Sequence, residues 1–193
     1  KIKFLHKNLL VVIHPLTLSE NKSYDKDFNL LFINKILKAL SKLKNTRIIF
    51  SKPNADFGYF TILNKIEDFA NKNKNSNILD NLGSLMFLSL LNNVDMILGN
   101  SSAGIIEAPS FNIPTINIGD RQNGRVKADS VINCKINDKD ILKKIDIAYS
   151  TNFKNKLLKV KNPYFKKNTS NKIIQVITKK INEDYKYKKF YDL

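Results

Sequence analysis

Three side chains within seven residues carry the most specific chemistry in the sequence. Ser101, Ser102 and Glu107 follow the short apolar run Met96-Ile97-Leu98 and the turn residue Gly99. The stretch therefore reads as a strand end, a small-residue turn and a helix start. Asn100, Ser101 and Ser102 are all residue types that cap a helix N-terminus. A helix start after a strand end offers unpaired N–H groups and the positive end of a dipole, which suits a phosphate. The two hydroxyls add donors at the same spot. Glu107 comes too late to close a capping box, because three residues beyond Ser101 or Ser102 lies Gly104 or Ile105. Its neighbours Ile105, Ile106 and Ala108 are apolar, so its carboxylate needs another partner. A sugar diol fits, since an ionised carboxylate accepts two hydrogen bonds. The plainer alternative is an ordinary strand-cap-helix junction with a surface glutamate.

Other candidates sit at comparable places. His14 follows the apolar run Leu9 to Ile13, where Pro15 stops the ladder; it is either a structural histidine or part of a site. Asn54 lies in the turn Lys52-Pro53-Asn54-Ala55-Asp56. Arg121 and Arg125 flank a glycine turn, where the choice is between loop solvation and anion binding. In parallel sheets the ligand lies beyond the carboxyl ends of the strands. His14, Asn54, Ser101, Ser102 and Arg121 each come just after a predicted strand, and that convergence argues for one shared site.

The elements that must position them alternate along the chain. Strands are predicted at Leu9 to Ile13, Arg47 to Phe50, Asn77 to Leu79, Val94 to Leu98, Thr115 to Ile118 and Val131 to Cys134. Between them, a polar loop is expected from Asn21 to Asp27 and a helix from Phe28 to Leu43, with Phe28, Phe32, Ile36 and Leu40 at i,i+4 spacing. Further helices are expected from Tyr59 to Asn71, Ser84 to Leu91, Ser102 to Ser110 and Lys139 to Tyr149. The last runs from Ser170 to Ile181 on a stripe of Ile173, Ile174, Ile177 and Ile181. Strand-helix alternation of this kind predicts an α/β fold with a doubly wound parallel sheet. Neither G-x-G-x-x-G nor G-x-x-x-x-G-K-[ST] occurs, which argues against NAD and against an NTPase.

Composition bounds the partners. At 193 residues the chain suits a single domain. The formal charge of +16 raises nucleic acid as a partner, but the lysines are scattered with asparagine along every segment. Only the tail from Lys179 to Lys189 is dense, so no nucleic acid is expected. One cysteine, Cys134, rules out an internal disulfide, and His6 and His14 are too few for a histidine metal cluster. With no apolar run near 18 residues and no leader pattern, a soluble, cytoplasmic protein with no membrane association is expected. The chain opens on Lys1 rather than Met, as a fragment would.

Four motifs carry a resemblance. His14-Pro15-Leu16-Thr17, Pro53-Asn54-Ala55-Asp56, Gly99-Asn100-Ser101-Ser102-Ala103-Gly104-Ile105-Ile106-Glu107-Ala108-Pro109 and Asn117-Ile118-Gly119-Asp120-Arg121-Gln122-Asn123-Gly124-Arg125 resemble the hydrolysing UDP-N-acetylglucosamine 2-epimerases, in particular the bacterial sialic-acid-pathway type. The resemblance runs from Leu9 to the last helix. It implies one Rossmann-like, UDP-binding domain over residues 1–193, the second half of a two-domain GT-B architecture whose first half supplies most of the acidic proton-transfer residues. Ser101 and Ser102 would hold the UDP diphosphate, Glu107 the ribose hydroxyls and Leu82 the uracil. His14, the one catalytic candidate, would contact the diphosphate and assist UDP departure. Asn54 and Arg121 would form part of the cleft wall. The implied reaction eliminates UDP from UDP-GlcNAc and adds water to the glycal, giving N-acetylmannosamine, with no metal or other cofactor.

The pattern departs from the family after Asn162-Pro163-Tyr164, where glycine, acid and glycine are replaced by Phe165-Lys166-Lys167. Without glycine the backbone approaches a ligand less freely. The alternatives are a related substrate such as a UDP-diacetylbacillosamine, a GT-B glycosyltransferase nucleotide domain, or a non-catalytic binding module. The resemblance also implies a homodimer for the full-length protein and an inactive isolated half.

Overall fold

The computed structural model describes residues 2–16, 26–80 and 82–181. Thr17 and Leu18, most of the loop expected from Asn21 to Asp27, and the basic tail beyond residue 181 lie outside the described residues. The chain divides into two compact units, Lys1–Pro163 and Tyr164–Leu193.

The first unit is built on six strands: β1 (Lys7–Val12), β2 (Thr46–Ser51), β3 (Ser76–Leu79), β4 (Met96–Gly99), β5 (Thr115–Ile118) and β6 (Val131–Cys134). They form one sheet in the order β3-β2-β1-β4-β5-β6, and every neighbouring pair is parallel. The apolar run from Leu9 to Ile13 is buried throughout, as a central strand covered on both faces requires. One face is packed by α1 (Lys26–Leu40), α2 (Tyr59–Lys72) and α5 (Asp138–Tyr149), with Phe32, Ile36, Phe50, Ile66 and Ile141 in its core. The other is packed by α3 (Gly83–Leu91) and α4 (Ala103–Ile106) around Leu10, Val12, Ile49, Leu91 and Ile97.

Two differences from the sequence reading have local causes. The helix expected from Ser102 to Ser110 is only α4, followed by a 3-10 turn over Ala108–Phe111. Pro109 lacks an N–H and crowds the carbonyl four residues back, so the helix cannot run through it. A helix α6 (Thr151–Leu157) follows α5 directly, because the Ser150 hydroxyl accepts from the Phe153 N–H at 3.3 Å and caps a new start. Smaller shifts occur at ends: α1 begins at Lys26, within the expected loop, and stops at Leu40 rather than Leu43, while β4 starts at Met96 rather than Val94. In the second unit, α7 (Thr169–Lys180) carries the expected Ile173, Ile174 and Ile177 stripe, all exposed.

The strand order reverses between β1 and β4, the point where doubly wound sheets open a crevice. Val12 pairs with Ser51 on one side and Gly99 on the other. The three strands therefore end level, and the residues after them meet at one edge. At the opposite, amino end, the buried charged side chain, Arg47, is paired, although the hydroxyls of Ser76, Ser130 and Tyr149 have no hydrogen-bond partner. Arg47 donates to the carbonyls of Lys3 (2.8 Å) and Lys74 (3.1 Å) and to Asn77 Oδ1 (3.2 Å). The Asn8 N–H donates to Asp95 Oδ2 at 2.6 Å.

Candidate functional site

The crevice depends on a close approach of two strand ends. Gly99 has φ +145°, and a Cβ there would lie 1.9 Å from the Val12 carbonyl oxygen. No side chain fits, so glycine is what lets β4 end against β1. Gly104 has a similar role in the following helix. A Cβ at that position would lie 2.5 Å from Thr115 Cγ2, and the Thr115 hydroxyl donates to the Gly104 carbonyl at 2.7 Å, seating α4 on β5.

Asn100 joins the strand ends. Its fully buried side chain accepts from the His14 N–H at 2.8 Å and donates back to the His14 carbonyl at 2.8 Å. Its own carbonyl accepts from Gln122 Nε2 (2.9 Å) and Arg121 Nη1 (3.2 Å). The loops after β1, β4 and β5 are thus tied through one residue. As an N-cap type it gave no sign of this role, because its partners lie far away in the chain. Gln122, also buried, was likewise passed over beside Arg121.

His14 is 8% exposed. Its Nδ1 accepts from the Asn54 N–H at 3.1 Å, and its Nε2 lies 3.3 Å from Ser101 Oγ. Ser101 Oγ also accepts from the Ala103 N–H at 3.3 Å, whereas Ser102 makes no side-chain cap bond. Burial, and next the Arg121 guanidinium, push His14 down from its ordinary 6.5 to about 4; Asp56 opposes them.

Around these groups lies a cavity of about 830 Å³, of the size that takes a small ligand. Its wall includes His14, Asn54, Leu82, Ser101 and Glu107. Ser102 lies between the wall residues Ser101 and Ala103, and Arg121 reaches the Asn100 carbonyl, but neither lines the wall. Glu107 Oε2 is buried and has no hydrogen-bond partner, an arrangement that costs free energy unless a ligand supplies a donor. The rim holds a pair missed in the sequence, Lys52 with Asp80, which links the ends of β2 and β3. Asn162, at the start of the divergent segment, donates to the Ile106 carbonyl (2.8 Å) and the Ser110 hydroxyl (2.7 Å) behind this wall.

Elsewhere, burial and then Asp140 push the Cys134 thiol up to about 12, so it is no nucleophile. Among the described residues no cluster of His, Cys, Asp and Glu could hold a metal, and no helix is long and apolar enough to cross a membrane.

Comparison with known proteins identifies the family. Residues 3–178 match the UDP-N-acetylglucosamine 2-epimerase family. The chain is 41% identical over 186 residues to a GDP/UDP-N,N'-diacetylbacillosamine 2-epimerase (hydrolyzing) of Campylobacter jejuni, covering 95% of this chain and 46% of that protein. It is 37% identical over 193 residues to polysialic acid biosynthesis protein P7 of Escherichia coli, covering 98% and 47%. It thus spans about half the length of these relatives. In fold it is similar to the UDP-GlcNAc 2-epimerase of Neisseria meningitidis bound to UDP-GlcNAc, with a TM-score of 0.67 at 19% identity over 90% of this chain and 45% of that one. The six-stranded parallel sheet is accordingly one Rossmann-like half of a GT-B architecture, and the chain belongs to the UDP-N-acetylglucosamine 2-epimerase family.

Proposed function

We propose that this chain forms the UDP-binding half of a hydrolysing UDP-sugar 2-epimerase. The observation that carries the reading is Glu107 Oε2, buried without a donor in a cavity it shares with His14 and Ser101. Ribose hydroxyls supply the missing donors. Ser101, with Ser102 beside it, binds the diphosphate, and Leu82 lies against the uracil. His14 faces the diphosphate, Asn54 holds its ring, and Arg121 adds positive charge from behind the Asn100 carbonyl.

In the full-length protein the substrate is UDP-GlcNAc. A base removes the C2 proton, the C1–O bond breaks with its electron pair passing to UDP, and a C1–C2 double bond forms. Water then adds across it, hydroxyl at C1 and proton at C2, giving N-acetylmannosamine. This half stabilises the charge of the departing diphosphate, which is electrostatic work for fixed donors. The half alone turns nothing over. A second reading keeps the reaction but takes a UDP-diacetylbacillosamine as substrate, and the 41% identity to the Campylobacter jejuni enzyme favours it.

Calorimetric titration with UDP tests the site. Wild-type chain is expected to bind saturably, and Glu107→Gln to bind roughly tenfold more weakly, the loss of a charge-assisted bond. Equal affinity of the two proteins removes the ribose assignment.

A further inference from the structure

His14 is held so that only one of its ring nitrogens is free to act. The Asn100 amide fixes its main chain on both sides, at 2.8 Å each. Ring Nδ1 faces the Asn54 main-chain N–H at 3.1 Å. A backbone N–H can only donate, so Nδ1 must keep its lone pair, and the neutral ring carries its proton on Nε2. That nitrogen lies 3.3 Å from Ser101 Oγ, at the wall of the cavity. Protonating Nδ1 would set one N–H against another.

Resting on the reading of this cavity as a UDP site, we propose that His14 acts as a neutral Nε2–H hydrogen-bond donor to the diphosphate, its tautomer set by the Asn54 main chain, and delivers no proton to the leaving group. The C1–O electron pair passes to the diphosphate oxygen, which departs as an anion. The ring donates a hydrogen bond to that anion and is neutral before and after. The charges around the ring agree with this. Burial and Arg121 oppose protonation, and Asp56 acts against them; Glu107 and Lys52 stand in the same wall. Asn54 and Asn100 are positioning residues, acting through His14.

The test uses both a spectrum and a binding series. His6, exposed, is the chain's other histidine, so long-range imidazole ¹⁵N correlations give two ring patterns with an internal control. In the ligand-free chain, His14 is expected to show the neutral, Nε2-protonated pattern from pH 5.5 to 8. An imidazolium or an Nδ1–H pattern for His14 at pH 7 overturns the proposal. In UDP titrations, His14→Gln, whose amide places a donor near Nε2, should bind within about threefold of wild type. His14→Ala and His14→Asn should bind roughly tenfold more weakly, the scale of one bond to a charged group. A Gln variant as weak as the Ala variant overturns the donor role. If wild-type chain binds no UDP at all, the diphosphate reading falls and takes the donor role with it, whereas the tautomer is judged by the spectrum alone.

Discussion

The two ends of the central sheet treat their ionisable groups Arg47, Asp95, Glu107 and His14 in opposite ways, even though unpartnered hydroxyls of Ser76, Ser130 and Tyr149 lie at the amino end as well. At the amino end, Arg47 reaches three acceptors, and Asn8 is tied to Asp95. At the carboxyl end, Glu107 keeps a buried oxygen without a donor, and His14 is held far below its ordinary pKa. The first arrangement recovers the cost of burial within the chain; the second leaves some of that cost standing. Proteins accept such a cost where a ligand makes good the missing bond. For these ionisable groups the difference agrees with the proposed division, in which the amino end holds the fold and the carboxyl end carries the proposed UDP site.

Substitutions can break or sharpen that contrast. The largest effect is expected where the carboxyl end is also structural. Gly99→Ala puts a methyl group against the Val12 carbonyl and should cost on the order of 4 kcal/mol in chemical denaturation; a cost under about 1 kcal/mol would show that the strand ends separate easily. Arg47→Met leaves two carbonyls and Asn77 Oδ1 short of a donor and should cost about 3 kcal/mol. UDP affinity of the protein that remains folded should not change, since Arg47 lies at the far end; a parallel loss of affinity would blur the contrast.

Acid supplies a third test. His14 titrates near 4 when folded against 6.5 otherwise, so below pH 6.5 the unfolded chain takes up the proton first. The stability His14 contributes is present above pH 6.5 and is lost as pH falls towards 4. Between pH 7 and pH 4.5 the wild type should lose about 2 kcal/mol more than His14→Gln. Equal acid sensitivity would place the titrating groups elsewhere. The smallest effect on the fold is expected from Glu107→Gln, whose melting temperature should match or exceed the wild type even as its UDP affinity drops. A clear fall in melting temperature would mean that Glu107 holds the fold.

Much of this was legible from local pattern. The continuous apolar run at Leu9 to Ile13 and the strand-turn-helix grammar around Gly99 pointed to a central parallel sheet with a crevice at its carboxyl edge, and Glu107, singled out for its misplaced carboxylate, lies in the wall of the cavity found there. What the sequence hid is non-local. Asn100 has the composition of a cap, yet it works by gripping a residue 86 positions away. The Lys52–Asp80 pair and the buried Gln122 likewise depend on strands brought level by the sheet. Pro109 and Ser150 are a different case, since their helix-breaking and capping signals were in plain view.

The bracket between Asn100 and His14 also has a consequence for how the chain is made. During synthesis, β1 is the first of these six strands to be made and finds β2 within the next forty or so residues. Its other edge belongs to β4 and stays open until Gly99 has left the ribosome. For that interval the run Leu9 to Ile13 is a bare apolar strand edge, a template for pairing with another chain. Nascent chains stalled between α2 and β4 should therefore be the ones that recruit chaperones and aggregate, and release should follow within a few residues of Asn100, when the second edge closes and the crevice forms in the same event.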